Sequence, residues 1–140
     1  EQAADRLARM QGSAPQIRTL VAHDKAEKPV YALAEAVDWY LGAAKQGGDF
    51  KTEVPLRSLE YSRAYEPGAY VSFIAPTPLL MIVAREDVVT PTDLALEAFE
   101  KAGEPKALHM IDGGHFQPYV AEFDSASTAA LRWFQAHLVD

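Results

Sequence analysis

The stretch that decides the fold reads Pro-Leu-Leu-Met-Ile-Val-Ala-Arg-Glu-Asp at residues 78–87. Its centre, Leu79 to Ala84, is an unbroken apolar run of strand length. Such a run is typical of a strand in a parallel sheet, where both faces are covered and polar residues do not alternate with apolar ones. Two prolines just upstream, Pro76 and Pro78, favour extended backbone in the residues before them. We therefore predict a strand over Leu79 to Ala84 that is buried on both faces.

The residues after this strand repeat the pattern of strand and helix. A helix is predicted from Thr90-Pro91 to about Ala102, followed by a short strand over Ala107 to Ile111. Asp124 or Ser125 is predicted to cap a last helix. Four residues at helical spacing predict its buried stripe: Ala130, Leu131, Phe134 and Leu138. A βαβα order with short links predicts an α/β fold in which the two strands are parallel neighbours.

Residues 1–73 read mostly as helix and loop. The pattern predicts a helix ending over Asp5 to Met10, a helix over Pro29 to Lys45 that Gly47-Gly48 stops, and a helix over about Pro55 to Tyr65. No strand is visible there, and two strands alone do not form a stable sheet. We therefore expect the folding unit to be larger than this chain.

Composition narrows the function classes. The chain has 140 residues, enough for one ordinary domain, and a net charge of −7, which argues against a nucleic-acid partner. It has no cysteine, which excludes disulfides and thiolate metal sites, and no apolar run long enough for a membrane span. The sequence starts at Glu1 without Met, so we expect a processed or truncated start. Localisation is not written in the sequence, and the cytoplasm is the default expectation.

Two residues with catalytic chemistry each follow a predicted strand. Asp87 lies three residues past the first strand, and His115 lies in a Gly-Gly loop just past the second. Ligands bind beyond the carboxyl ends of parallel strands, and there a carboxylate can orient an imidazole that acts as a general base. Helix capping by Asp87 and a surface-loop position for His115 are the alternatives. Glu86 is a rival for the acid.

These residues carry a family resemblance that covers residues 74–140. The run from Pro78 to Ala84 followed by Asp87-x-x-x-Pro91 resembles the acid turn of α/β-hydrolases, and residues 111–116, Ile-Asp-Gly-Gly-His-Phe, resemble their catalytic-histidine loop. Residues 56–60 and 65–70 are similar to dienelactone-hydrolase-like or peptidase-S15-like members, which include polyketide transferases and thiohydrolases. The resemblance implies the C-terminal part of an α/β-hydrolase fold, with residues 1–73 as a lid or cap region and 74–140 as core.

The family's nucleophile is absent from the pattern. It sits in Gly-x-Ser-x-Gly on a strand-to-helix elbow, and none of the six serines here has glycine two residues before and after it. The resemblance thus implies that the serine lies on a missing N-terminal half, which we expect as the partner of this chain. The isolated chain is then expected to be inactive, and a homodimer stays open.

Aromatic residues suggest substrate contacts. Trp39 and Tyr40 are candidates for an apolar acyl pocket, and Phe116, next to His115, is a candidate for its border. Core or lid packing is the simpler interpretation of any one of them. His109 has no second ligand at metal spacing, so metal binding is not expected. The hydrolase resemblance implies no cofactor.

Three functions fit these features. The first is a serine hydrolase acting on an ester, thioester or related small-molecule acyl substrate, with Asp87 and His115 in its triad. The second is acyl transfer, or lyase or C–C hydrolysis chemistry, on the same residues. The third is a non-catalytic binding protein, because a fold alone does not establish activity.

Overall fold

The computed structural model of the protein describes residues 1–24, 27–47 and 51–138. These residues divide into two compact units, Glu1–Glu66 and Pro67–Asp140. We call them unit 1 and unit 2. The functional division after residue 73 stays a prediction.

Unit 2 is built on two parallel strands. Strand β3 spans Leu79–Ala84 and strand β4 spans Lys106–Ile111. They pair in register from Leu79 opposite Lys106 to Ala84 opposite Ile111. The predicted strands and their parallel pairing are confirmed. Because the chain crosses over between them, both strands end at the same edge of the sheet.

Burial of β3 is less complete than predicted. Val83 and Ala84 are buried, whereas the four residues before them are only half-buried. Among the described residues, β3 hydrogen-bonds to a single neighbouring strand. The apolar run predicts that both faces of β3 are fully covered, and the described residues do not cover them fully.

Two helices complete unit 2. Helix α4 spans Thr92–Lys101 and connects the strands, and helix α5 spans Phe123–Leu138 and packs against both of them. Because α5 begins at Phe123, Asp124 and Ser125 lie in its first turn rather than at its cap. A 3-10 helix over Pro67–Phe73 replaces the turn and loop expected before β3.

The predicted buried stripe of α5 is wrong. Leu131, Phe134 and Leu138 are 58%, 54% and 74% exposed, and Ala130 is half-buried. Ala126, near the start of the helix, is its buried residue. The periodicity does mark the apolar face of α5. The described residues cover this face only in the first turns of the helix.

Unit 1 contains two strands that the sequence did not reveal. Strand β1 spans Ile17–Thr19 and strand β2 spans Glu53–Pro55, and they pair antiparallel. Each has three residues, too few to show an alternating pattern. Helix α1 spans Gln2–Met10, and helix α3 spans Arg57–Ala64, so the helix predicted from Pro55 starts two residues later.

Helix α2 is shorter at its start than predicted. It spans Ala34–Gln46, although Pro29 suited a first helical turn. The backbone N–H groups of Val30 and Tyr31 instead donate to the carbonyls of Thr19 and Leu20, at 3.0 and 2.9 Å. These bonds hold the segment extended alongside the end of β1. Gly47 caps α2 as predicted, and Gly48 lies outside the described residues.

Candidate active site

Asp87 is fixed in a tight turn after β3. Its Oδ1 accepts hydrogen bonds from the backbone N–H groups of Val89, at 2.9 Å, and Thr90, at 2.8 Å. Its Oδ2 accepts a third bond from the Thr90 hydroxyl, at 2.8 Å. Aspartate readily forms such turns by bonding to the backbone that follows it. These three hydrogen bonds hold the carboxylate in place independently of His115.

The turn after β4 brings His115 to this carboxylate. His115 Nδ1 lies 2.7 Å from Asp87 Oδ2. The exposed fractions of the two side chains are 27% and 9%, so the contact is partly shielded from water. The acid and base predicted from the sequence thus meet at one edge of the sheet.

Backbone contacts hold the acid turn to the histidine turn. Arg85 N–H donates to the Ile111 carbonyl at 2.9 Å, and Glu86 N–H donates to the Gly113 carbonyl at 3.0 Å. The Arg85 and Asp112 side chains form an exposed ion pair of 2.8 Å outside these bonds. The two turns therefore continue the pairing of β3 and β4 past the ends of the strands.

The two candidate acids, Glu86 and Asp87, differ in their contacts. Glu86 is exposed, and its backbone bonds to Gly113. The carboxylate that contacts the imidazole belongs to Asp87.

Gly113 gives the histidine turn its shape. Its φ of +83° lies in the left-handed region, which glycine adopts without the steric cost that a Cβ brings. A Cβ at this position would also lie 2.7 Å from Gln117 Cγ. Glycine at position 113, two residues before His115, thus suits both the backbone conformation and the small space next to Gln117.

The charge state of Asp87 follows from its surroundings. Partial burial acts to raise its pKa, because a charged carboxylate loses hydration. Hydrogen bonds from His115, Thr90 and Val89 act in the opposite direction and prevail, so the pKa of Asp87 lies below its usual value. Asp87 is therefore ionised at neutral pH and acts only as a hydrogen-bond acceptor.

A cavity of about 460 Å³ adjoins the pair. Asp87, Thr90 and His115 lie on its wall. The rest of the lining is mostly apolar and includes Met81, Val83, Ala95, Pro118, Phe123 and Ala130. Such a space beside a polar acid–base pair has the general form of a small-molecule site.

The aromatic candidates occupy different places. The Phe116 ring is buried and meets the His115 ring edge-on, with centroids 4.7 Å apart. Trp39 and Tyr40 lie on α2 in unit 1, where Trp39 packs edge-on against Tyr40 and Tyr40 stacks on Tyr31. Their predicted contacts with a substrate stay predictions.

Thr90 is the site residue that the sequence analysis missed. It was interpreted as the start of a helix, yet its hydroxyl lies 2.8 Å from Asp87 Oδ2 and 3.1 Å from His115 Nδ1. Its position in the sequence could have indicated this contact. Thr90 lies three residues after an aspartate that follows a strand, where a hydroxyl can turn back to the carboxylate.

In residues 1–24, 27–47 and 51–138, no three His, Cys, Asp or Glu side chains converge as metal ligands. Within the same part of the chain, no helix is long and apolar enough to cross a membrane.

Solved structures provide the decisive comparison. The crystal structure of the α/β-hydrolase GrgF from a Penicillium species superposes with a TM-score of 0.80 at 24% identity, over 99% of this chain and 47% of that one. The chain has an α/β-hydrolase fold. The structure of DcsB in complex with its substrate analogue gives a TM-score of 0.75 at 16% identity, over 98% of this chain and 49% of that one. The predicted fold class is confirmed.

Curated relatives of this chain have the names of enzymes. A polyketide transferase of Gibberella fujikuroi is 29% identical over 121 residues, covering 86% of this chain and 37% of the relative. The polyketide transferase grgF of Penicillium is 25% identical over 135 residues, covering 96% and 45%. A protein of Mycoplasma pneumoniae named as an esterase/lipase is 32% identical over 88 residues, covering 61% and 32%. No protein-family model matches the chain.

Coverage is partial in every case. The chain spans less than half the length of each of these relatives and structures. This agrees with the C-terminal half of an α/β-hydrolase.

Proposed function

We propose that this chain supplies the acid and the base of a serine hydrolase that cleaves an ester, thioester or related acyl bond. The observation that carries the proposal is the 2.7 Å contact between Asp87 Oδ2 and His115 Nδ1 at the carboxyl edge of the sheet. A carboxylate on Nδ1 leaves Nε2 to exchange a proton with a nucleophile and then with the leaving group. In this proposal Asp87 stays ionised and stabilises the imidazolium.

The nucleophile is proposed to be a glycine-flanked serine in a polypeptide segment outside residues 1–140. Ser127 lines the cavity of His115, but its hydroxyl points to the Asp124 carbonyl of its own helix, at 3.4 Å. Ser127 also lies on a helix rather than on the strand-to-helix elbow where this fold exposes its serine. The apolar cavity lining supports an acyl group as the part of the substrate that the site holds.

Labelling with a fluorophosphonate tests the proposal. The protein, with any polypeptide that co-purifies, is treated with the probe and analysed by intact mass spectrometry and peptide mapping. We expect the adduct on a glycine-flanked serine outside residues 1–140. His115→Gln should slow labelling by about 10²-fold or more, since it removes the general base.

A matched variant makes the result specific. His109→Gln also removes an imidazole, but His109 Nε2 contacts Ser125 Oγ at 2.9 Å between β4 and α5 and does not touch Asp87. Labelling should persist in this variant. An adduct on Ser127, or equal labelling rates in the wild type and His115→Gln, would contradict the proposal.

Acyl transfer is a second candidate, because two of the curated relatives are named polyketide transferases. Water and an alcohol use the same acid–base pair, so the residues do not separate the two reactions. Turnover of an activated ester with and without a small alcohol separates them. New ester product that increases with alcohol concentration while acid product falls would identify transfer. Acid product alone would identify hydrolysis.

A further inference from the structure

Three polar atoms form a closed triangle at the acid–base pair. Asp87 Oδ2 lies 2.7 Å from His115 Nδ1 and 2.8 Å from Thr90 Oγ1. The third side, from Thr90 Oγ1 to His115 Nδ1, is 3.1 Å. Each atom is therefore within hydrogen-bond distance of the other two, although only two hydrogens are needed to connect them.

The ionised carboxylate decides where those hydrogens lie. Asp87 Oδ2 can only accept, so the Thr90 hydroxyl donates to it, and His115 Nδ1 bonds to it only in the Nδ1–H tautomer. Once the single hydroxyl hydrogen is used on Oδ2, Thr90 Oγ1 turns a lone pair toward Nδ1. The Nδ1–H group then faces two acceptors, whereas a bare Nδ1 would face two lone pairs at 2.7 and 3.1 Å.

Thr90 is itself held by the same carboxylate. Its backbone N–H donates to Asp87 Oδ1 at 2.8 Å while its side chain donates to Oδ2. One residue thus contacts both oxygens of the acid and the ring nitrogen of the base. The backbone bond fixes the position from which the hydroxyl acts.

We propose that Thr90 is a positioning residue that holds His115 in its Nδ1–H tautomer. It does so by fixing the Asp87 carboxylate and by offering Nδ1–H a second acceptor. This inference rests on the proposed function for its catalytic meaning, because the Nδ1–H tautomer leaves Nε2 bare to take a proton from a nucleophile.

Nitrogen-15 NMR of the histidine rings in the full chain tests the assignment without requiring activity. The chain has four histidines, and the other three serve as internal references. For the neutral imidazole of the wild type we expect the His115 shifts of a protonated Nδ1 and a bare Nε2. Thr90→Val keeps the β-branched shape but removes the hydroxyl, and we expect its His115 shifts to move toward a mixture of tautomers.

Two further variants separate positioning from general stability. Thr90→Ser retains a hydroxyl and should restore the wild-type pattern. Thr92→Val is the matched control, because Thr92 Oγ1 donates to the Ala84 carbonyl at 2.7 Å and accepts from Asp87 N–H at 3.3 Å, but bonds to neither the carboxylate nor the imidazole. It should lower stability and leave the His115 shifts unchanged.

The carboxyl of Asp87 provides a second readout. Its carbon-13 titration should move to higher pH in Thr90→Val, since one of the hydrogen bonds that lower the pKa of Asp87 is lost. In the active protein, kcat should fall roughly tenfold, as expected for one hydrogen bond to a charged group, with KM unchanged.

The outcomes distinguish this inference from the proposed function. Unchanged His115 and Asp87 signals in Thr90→Val would overturn the role of Thr90, whatever the activity. A tautomer shift in a sample that contains the polypeptide outside residues 1–140, and that the fluorophosphonate does not label, would support the role of Thr90 and overturn the proposed hydrolase function. A tautomer shift that accompanies slower labelling would support both.

Discussion

Replacing Gly113 with alanine perturbs the turn that carries His115 in two separable ways. A side chain at φ +83° costs about 1–2 kcal/mol, because Cβ crowds the neighbouring backbone. The new Cβ would also lie 2.7 Å from Gln117 Cγ, and moving that flexible side chain off its rotamer costs about 0.5–1.5 kcal/mol. Alanine also restricts the unfolded chain more than glycine does, which raises the free energy of unfolding by about 0.4–1 kcal/mol. The net loss of unfolding free energy should be about 0.5–3 kcal/mol.

Urea unfolding measures this loss in unit 2. The chain has two tryptophans, and in a Trp39→Phe background the remaining Trp133 reports on α5. The double variant Gly113→Ala with Gln117→Ala isolates the backbone part, since the Gln117 Cβ lies an acceptable 3.8 Å from the added Cβ. In the Gln117→Ala background the loss should shrink to about 1 kcal/mol.

A second glycine supplies a control of opposite sign. Gly42 lies in α2, where an added Cβ meets nothing within 4 Å. Gly42→Ala should stabilise unit 1 by about 0.5–1 kcal/mol, followed by Trp39 in a Trp133→Phe background. If Gly113→Ala were as stable as the wild type, or if removing the Gln117 side chain made no difference to it, the account of the histidine turn would be wrong.

Three further perturbations test the packing and charges around the site. Lys106→Met should lower the free energy of unfolding by about 1–2 kcal/mol in thermal unfolding, because Lys106 Nζ donates to the carbonyls of Phe99, Glu100 and Ala102 at the end of α4. Lys101→Met is the control: it removes only an exposed 3.9 Å ion pair with Glu97 and should change the free energy of unfolding by no more than about 0.5 kcal/mol. Gly103→Ala should destabilise by about 1–3 kcal/mol, since its Cβ would lie 2.7 Å from the Cβ of Ala75, and Ala75→Gly should rescue it; failure of that rescue would place the strain elsewhere. Because the pKa of Asp87 is lower in the folded than in the unfolded chain, Asp87 contributes stability that is complete above its unfolded pKa of about 4 and is lost as pH falls through the folded pKa. Asp87→Asn should therefore show a flatter fall of unfolding free energy below pH 5 in a urea series, and equal slopes for the two proteins would refute this link.

Sequence patterns predicted the core of unit 2 because its signals are local. The apolar run of β3, the proline after the acid turn and the glycines before His115 each constrain only a few neighbouring residues. Parallel pairing of β3 with β4 then followed from the βαβα order with its short links. That pairing is what brings Asp87 and His115 together.

The errors have a different origin, since they concern contacts that a local pattern does not contain. Strands β1 and β2 are too short for a periodic signal, and only their pairing with each other makes them strands. Val30 and Tyr31 are extended because they bond to Thr19 and Leu20, which lie about ten residues away in sequence. Leu131 and Phe134 are exposed because exposure depends on what surrounds α5. An amphipathic pattern predicts which face of a helix is apolar, but it does not predict which residues pack against that face.

The link between the acid and the base spans only 28 residues of sequence. One helix, α4, and one strand, β4, lie within this loop, and the entropy of closing a loop grows only slowly with its length. The geometry of the pair is thus encoded in a single supersecondary unit, whereas the nucleophile that we propose lies in a separate part of the polypeptide. Assembly of the whole site during folding should accordingly be limited by docking of the nucleophile, and the acid–base pair should be formed before that docking takes place.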